Sequence, residues 1–232
     1  MSHILMIVTG ANSLTLADGT EHPTGFWAEE LVVAHRDLTR AGHTITLATP
    51  GGVRPTVDAG SLAESTAGEK TAELTSYLVS IDDVLAVPTV LADVHPGGFD
   101  AVVIPGGHGP MTDLAFDEVT AGILKAADDA GTIIAPFCHG PAALLSTRTD
   151  SGFTFAGRRL TVFTDDEERQ GGTGENTPWF VEDELRKAGA IIQSGPAWSS
   201  HVVIDGNLIS GQNPQSSAAV TAAVVEALAA RG

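Results

Sequence analysis

The 232-residue chain has little cysteine: Cys138 stands alone. It can form no internal disulfide and no cysteine-based zinc site. A disulfide framework is excluded, and a reducing compartment, the cytoplasm, is expected. Positive charge is also scarce, with 12 Lys and Arg against 29 Asp and Glu and a net charge of −17. A surface this acidic repels phosphate backbones and anionic lipid, so neither nucleic acid nor a membrane surface is an expected partner. Lysine occurs only at Lys70, Lys125 and Lys187, a bias that a GC-rich genome and adaptation to salt would both produce. No run approaches the roughly 20 apolar residues of a membrane-spanning helix. The opening MSHILMIVTG has no basic segment and no cleavage site, so it reads as a strand rather than a targeting signal. Repeats, linkers and low-complexity segments are missing too. With 43% apolar residues and 26 glycines, the composition is globular, and one domain over 1–232 is expected.

The elements that are present alternate. Residues 3–9 form a short apolar run, the pattern of a strand buried on both faces. Residues 25–40 carry Phe26, Trp27, Leu31, Val32 and Leu38 among charges and stop before Ala41-Gly42, which predicts a helix. A strand at 44–48 precedes Pro50-Gly51-Gly52. Residues 51–75 read as a long polar loop and 76–86 as a helix. Strands are expected at 99–104 and 132–137, with a helix at 115–129 between them and a short helix after Cys138. Further strands fall at 160–163 and 190–193, around a helix at 179–187. The Asp205-Gly206-Asn207 turn marks a hairpin, and 215–230 a closing helix. This order predicts an α/β fold with a mainly parallel sheet covered on both faces. Ligands on such sheets bind at the carboxyl ends of strands. That rule directs attention to the exits at Gly106 and Cys138.

Cys138 follows a continuous apolar strand and precedes Gly140-Pro141. This is the strand–turn–helix setting of a nucleophile elbow, with sulfur replacing the serine oxygen. The elbow predicts a strained backbone at Cys138, with positive φ, and a helix N-terminus there favours thiolate. His139 is adjacent. At the other exit, Pro105-Gly106-Gly107-His108-Gly109 lets backbone amides approach a ligand and point at a developing oxyanion, and His108 can reach the same pocket through the turn. His22, His35, His43 and His95 read as surface residues, and Trp179 and Trp198 as packing. No histidine spacing suggests a metal site.

The strand–PGGHG segment at 105–109 and PFCHGP at 136–141 resemble the ThiJ/PfpI superfamily, whose fold is the class I glutamine-amidotransferase-like, flavodoxin-type α/β/α sandwich. TGFWAEE at 24–30, ATPGG at 48–52 and GQNP at 211–214 narrow the resemblance to the glyoxalase III and HchA-like chaperone branch. It spans about residues 3–229. The resemblance implies Cys138 as nucleophile, His139 as its base and Glu30 as a carboxyl group meeting the sulfur, with Glu29 as the alternative. It also implies an acidic residue that orients His139: Glu168 by spacing from Phe163, with Glu167 second, in an acidic run that otherwise reads as a solvated loop. Gly106, Gly107 and His108 are the expected substrate and oxyanion groups. The chain lacks the N-terminal extension of the larger chaperone members, and Ala34 and His35 stand where relatives often carry a proline and an aromatic residue.

Three functions follow. The first is a glyoxalase that needs no cofactor, metal or glutathione and converts small 2-oxoaldehydes to 2-hydroxy acids. The second is a cysteine amidase, peptidase or deglycase on the same triad. The third is a stress chaperone or redox sensor without catalysis. The expected partners are a small reactive carbonyl compound and, as a homodimer, a second copy of the chain.

Overall fold

A computed structural model describes residues 1–231. The chain runs β1 (His3–Ile7), β2 (Ser13–Thr15), β3 (Glu21–Pro23), α1 (Ala28–Arg40) and β4 (Thr44–Thr49). It continues through α2 (Glu64–Ala67), α3 (Thr71–Ser80), α4 (Asp82–Ala86), β5 (Thr89–Val90) and β6 (Ala101–Ile104). Then come α5 (Glu118–Asp129), β7 (Ile133–Pro136), β8 (Arg159–Leu160), α6 (Asp165–Gly171), α7 (Val181–Ala188) and β9 (Ile191–Ile192). β10 (Val202–Asp205), β11 (Leu208–Gly211) and α8 (Ser217–Ala229) close it.

Seven strands form the central sheet in the order β10-β11-β7-β6-β1-β4-β5. All its pairings are parallel except the β10–β11 hairpin. β1 shows why a continuous apolar run suits its centre. Ile4 and Met6 face a core shared with Leu31, Leu38, Leu78 and Val224, whereas Leu5 and Ile7 face another with Leu124, Leu144 and Leu185. Each face is covered by helices, which makes a three-layer α/β/α sandwich. α1 buries Leu31, Val32 and Leu38 on one stripe and ends at Ala41, followed by Gly42 at φ +85°. Among the described residues no helix is long and apolar enough to cross a membrane.

Several elements differ from the sequence pattern. The stretch 51–75 is not one loop: it contains α2 and the first residues of α3. The helix expected at 76–86 is two, α3 and α4, separated at Ile81. The acidic run is helix α6, begun by a capping box in which the Thr164 hydroxyl accepts from the Glu167 amide and the Glu167 carboxylate accepts from the Thr164 amide. Four carboxyl groups in its first turn suit the helix dipole. The strand expected at 160–163 shrinks to β8, which pairs with β9 outside the main sheet. After Cys138 the chain forms a 3-10 helix, Gly140–Thr147.

Candidate active site

β6 and β7 are parallel neighbours with Ile104 opposite Pro136. Their carboxyl ends therefore release the glycine turn and the cysteine side by side. Cys138 sits at φ +57°, as the elbow reading requires. This left-handed conformation is held from both sides: the Cys138 amide donates to the Gly211 carbonyl at 3.0 Å, and the Cys138 carbonyl accepts from the Phe163 amide at 3.0 Å. The glycines serve close approach. A Cβ on Gly106 would stand 2.6 Å from the His139 nitrogen, and one on Gly107, at φ +88°, would overlap the Gly25 carbonyl.

The sulfur of Cys138 lies 3.3 Å from His139 Nδ1, and His139 Nε2 lies 2.8 Å from Glu168 Oε2. An anionic carboxylate accepts, so the proton belongs on Nε2. That leaves Nδ1 as the acceptor facing the thiol. The Glu168 carboxylate also takes the Thr173 amide and hydroxyl and meets His108 Nε2 at 3.2 Å. Burial disfavours the Glu168 charge, but the hydrogen bonds from His108 and His139 outweigh it and hold its pKa far below 4.5. Burial and the neighbouring His108 lower His139, leaving it neutral.

Glu30 is fully buried on the first turn of α1. Its Oε2 accepts from the Gly106 amide at 2.6 Å, while Oε1 has no close nitrogen or oxygen partner among the described residues. Burial pushes its pKa up to about 8, although the Cys138 thiol and the Gly106 amide pull the other way. The acid is thus protonated at neutral pH. The sequence implied a contact with the sulfur. That contact is present, a side-chain hydrogen bond through which each group shifts the other, and the sulfur also meets His139. Glu29, the alternative, points outward and pairs with Lys70 at 2.6 Å.

Two expectations are corrected. The cysteine is not a stabilised thiolate: burial and Glu30 raise its pKa well above 9, against the pull of the Gly107 and His139 amides. Gly106 cannot serve as an oxyanion donor, because its amide is committed to Glu30; the Gly107 and His139 amides are the ones directed at the sulfur. His108 lines the cavity, where the sequence placed it, and its ring also hydrogen-bonds the orienting carboxylate of Glu168. Glu167, the second choice for the triad, instead accepts from the Thr164 amide, Gln212 Nε2, Asn213 Nδ2 and the Trp198 amide. That network gives the GQNP segment its role.

A narrow cavity of about 40 Å³ leads to Cys138, bounded by Trp27, His108, Phe163 and Trp198. One water needs roughly 10–15 Å³ on this measure, so the space suits a ligand of a few heavy atoms. Trp198, read from sequence as packing, is one of its walls. Trp179 lines a separate surface groove with Phe116. His35 is buried, bonded to Tyr77 at 2.9 Å, and lowered in pKa by that burial.

Among the described residues, two groups have donor types suited to a divalent cation: His22 with Asp58 and His108, and His108 with His139 and Glu168, with ligand atoms in each group within 4.8 Å of one another. Chain spacing could not reveal them, since each joins segments distant in sequence. In both, the carboxylates already accept hydrogen bonds, Asp58 from Thr24 and Gly60 and Glu168 from the two imidazoles.

A parallel sheet with a cysteine on a strained strand exit, an imidazole and carboxylate behind it and a buried acid beneath defines a cysteine-elbow α/β protein. Residues 22–227 match the model of the DJ-1/PfpI family, and the chain belongs to that family. It is similar to glyoxalase 3 of Candida albicans, 25% identical over 98% of each chain. It is also similar to the protein/nucleic acid deglycase HchA of Pseudomonas aeruginosa, 27% identical over 92% of this chain and 76% of the relative. Among solved structures, the Rapid Encystment Protein 24 kDa of Francisella tularensis superposes with a TM-score of 0.87, at 25% identity, over 98% of this chain and 99% of the other. Relatives named for glyoxalase and deglycase activities support an enzyme of this family.

Proposed function

We propose that the protein is a cofactor-free glyoxalase that converts small 2-oxoaldehydes such as methylglyoxal to 2-hydroxy acids. The observation that carries this reading is the pairing of a neutral buried acid with a neutral imidazole around one thiol, in a cavity of about 40 Å³. Hydrolysis needs a base and an oxyanion donor. Moving hydrogen between adjacent carbons needs two groups that can each hold a proton near neutral pH, and that is what Glu30 and His139 offer.

His139 Nδ1 takes the thiol proton as sulfur adds to the aldehyde carbon, and the proton passes to the aldehyde oxygen to give a hemithioacetal. The Gly107 amide lies near the charge that develops. The aldehyde carbon then loses its hydrogen and the neighbouring ketone carbon gains one through an enediol, with His139 and Glu30 as carriers. The product is a thioester, which water cleaves to the 2-hydroxy acid and free thiol. Glu168 keeps its charge throughout, holds Nε2–H and stabilises the transient imidazolium.

A second reading, deglycase action on the same residues, rests on the similarity to HchA; the narrow cavity favours free small carbonyls over protein-bound adducts. A panel of methylglyoxal, glycated peptides and amides tests the choice. We expect turnover of methylglyoxal without added metal or glutathione, its loss in Cys138→Ser, and its loss in Glu30→Gln with Cys138 still alkylatable. Near-parental activity in Glu30→Gln would remove the proton-carrier role.

A further inference from the structure

Trp198 departs from the rules its neighbours obey. It sits at φ +61°, where a bulky side chain is a genuine outlier. Such strain persists only when the surroundings over-determine it, and it gathers at ligand clamps. The surroundings here do so. The Trp198 amide donates to Glu167 Oε1 at 2.8 Å, an oxygen that also takes Asn213 Nδ2 at 2.7 Å. The indole Nε1 donates to Gln170 at 2.7 Å, the ring packs edge-on to Phe163 at 5.6 Å, and a Cβ on Gly171 would come within 2.7 Å of the indole. The ring has one pose.

That pose has one face in water and another on the reaction cavity. Cys138, His139, His108 and Phe163 are buried walls, whereas Trp198 is 39% exposed. It stands where cavity meets solvent, beside Gly171 and Gly172, which contribute no side chain there. A tryptophan kept only for packing would be placed in the core, without left-handed strain and without a hydrogen-bonded indole at a cavity mouth.

We propose that Trp198 is the specificity-determining wall of the site. It limits substrates to compact 2-oxoaldehydes of methylglyoxal size and discriminates against aryl and branched ones. This rests on the glyoxalase reading for the substrate class, but the steric role does not depend on it. A rigid wall acts by excluding groups that cannot repack around it, so its removal changes the ratio between large and small reagents rather than the reactivity of the thiol.

The single cysteine makes the test direct, since every thiol label reports position 138. Rate constants for alkylation by iodoacetamide and by N-phenylmaleimide are measured on the full chain, with Cys138→Ser as background, and kcat/KM is measured for methylglyoxal and phenylglyoxal. We expect Trp198→Gly to raise the N-phenylmaleimide rate at least tenfold more than the iodoacetamide rate. The phenylglyoxal-to-methylglyoxal ratio should shift in the same direction, and Trp198→Phe should shift both less than threefold. Trp198→Asn, which also tolerates left-handed backbone, gives the same readings where the glycine variant is poorly folded. Equal acceleration of both reagents, or no change in either ratio, would overturn the proposal. A changed alkylation ratio in a protein that turns over no 2-oxoaldehyde would keep the wall and remove the glyoxalase reading.

Discussion

Replacing Glu30 with glutamine should make the protein more stable, by an amount that grows with pH. The unfolded chain releases this proton near 4.5, and the folded chain near 8. Between those values folding must retain a proton that unfolding releases. The contribution of Glu30 to stability therefore falls by about 1.4 kcal/mol per pH unit from about pH 4.5 to about pH 8 and is flat outside that window. Over the whole interval the loss is on the order of 5 kcal/mol. Glutamine cannot ionise, its amide oxygen can take the Gly106 N–H, and its NH2 can replace Oε1. Burial, the largest cause of the raised Cys138 thiol, persists in both proteins, while the variant loses the part that Glu30 supplies. Urea or thermal unfolding of parent and Glu30→Gln at pH 5, 6, 7 and 8 reads the difference. We expect the two to agree within about 1 kcal/mol at pH 5, and the variant to be more stable by about 3–5 kcal/mol at pH 8, a Tm rise of about 2–4 °C per kcal/mol. A constant difference across this range, or a parent that is the more stable at pH 8, would refute a protonated acid in the folded state.

Two further outcomes follow from the same geometry. Gly107→Ala should cost about 2–4 kcal/mol in urea unfolding, because a Cβ there overlaps the Gly25 carbonyl and φ is +88°; a loss below about 1 kcal/mol would show that the turn relaxes freely. Glu168→Gln should lower kcat by about 10²–10⁴-fold with alkylation of Cys138 retained. Because the Glu168 pKa is depressed, the stability it confers is present above about pH 4.5 and lost as pH falls further, so parent and variant should converge in acid. Parallel curves through that region would show that the carboxylate is not held ionised.

The chemistry-bearing residues were more legible in the chain than their state. Cys138 declares itself through the apolar strand before it and the Gly-Pro after it, and its positive φ follows from the elbow. The fold class came from alternation, because each buried strand of a parallel sheet is apolar on both faces. Helix α6 stayed hidden because four acidic residues in a row look solvated. Its capping box, Thr164 to Glu167, was the available signal, as Thr-x-x-Glu is a helix-start pattern. Spacing from Phe163 ranked Glu168 ahead of Glu167, and their partners tell them apart: two imidazoles for Glu168, and Trp198, Gln212 and Asn213 for Glu167. The β2–β3 ribbon left no trace because its two three-residue strands are polar and barely alternate. Trp198 was read as packing because nothing local reports that residues 163, 171 and 198 converge.

The two carboxyl groups of the site are driven in opposite directions by the same burial, and what decides the sign is the supply of donors. Glu168 receives N–H groups from His108, His139 and Thr173, enough to outweigh its desolvation, so it remains an anion. Glu30 has only the Cys138 thiol and one backbone amide, too few to offset its burial, so desolvation wins and it remains an acid. The negative charge of the resting site therefore lies beyond His139, away from the sulfur, and the sulfur itself is a neutral thiol. On the proposed reading, the nucleophile arises when a substrate carbonyl is present to accept the charge near the Gly107 amide, while His139 becomes cationic against Glu168. This bears on the alternatives. A redox sensor requires an accessible, low-pKa thiolate. Here burial and Glu30 raise the thiol, and Trp198 narrows the approach to it. A holdase has no use for either arrangement. The opposed carboxyl states serve proton movement around a small bound carbonyl, which is the chemistry proposed for the site.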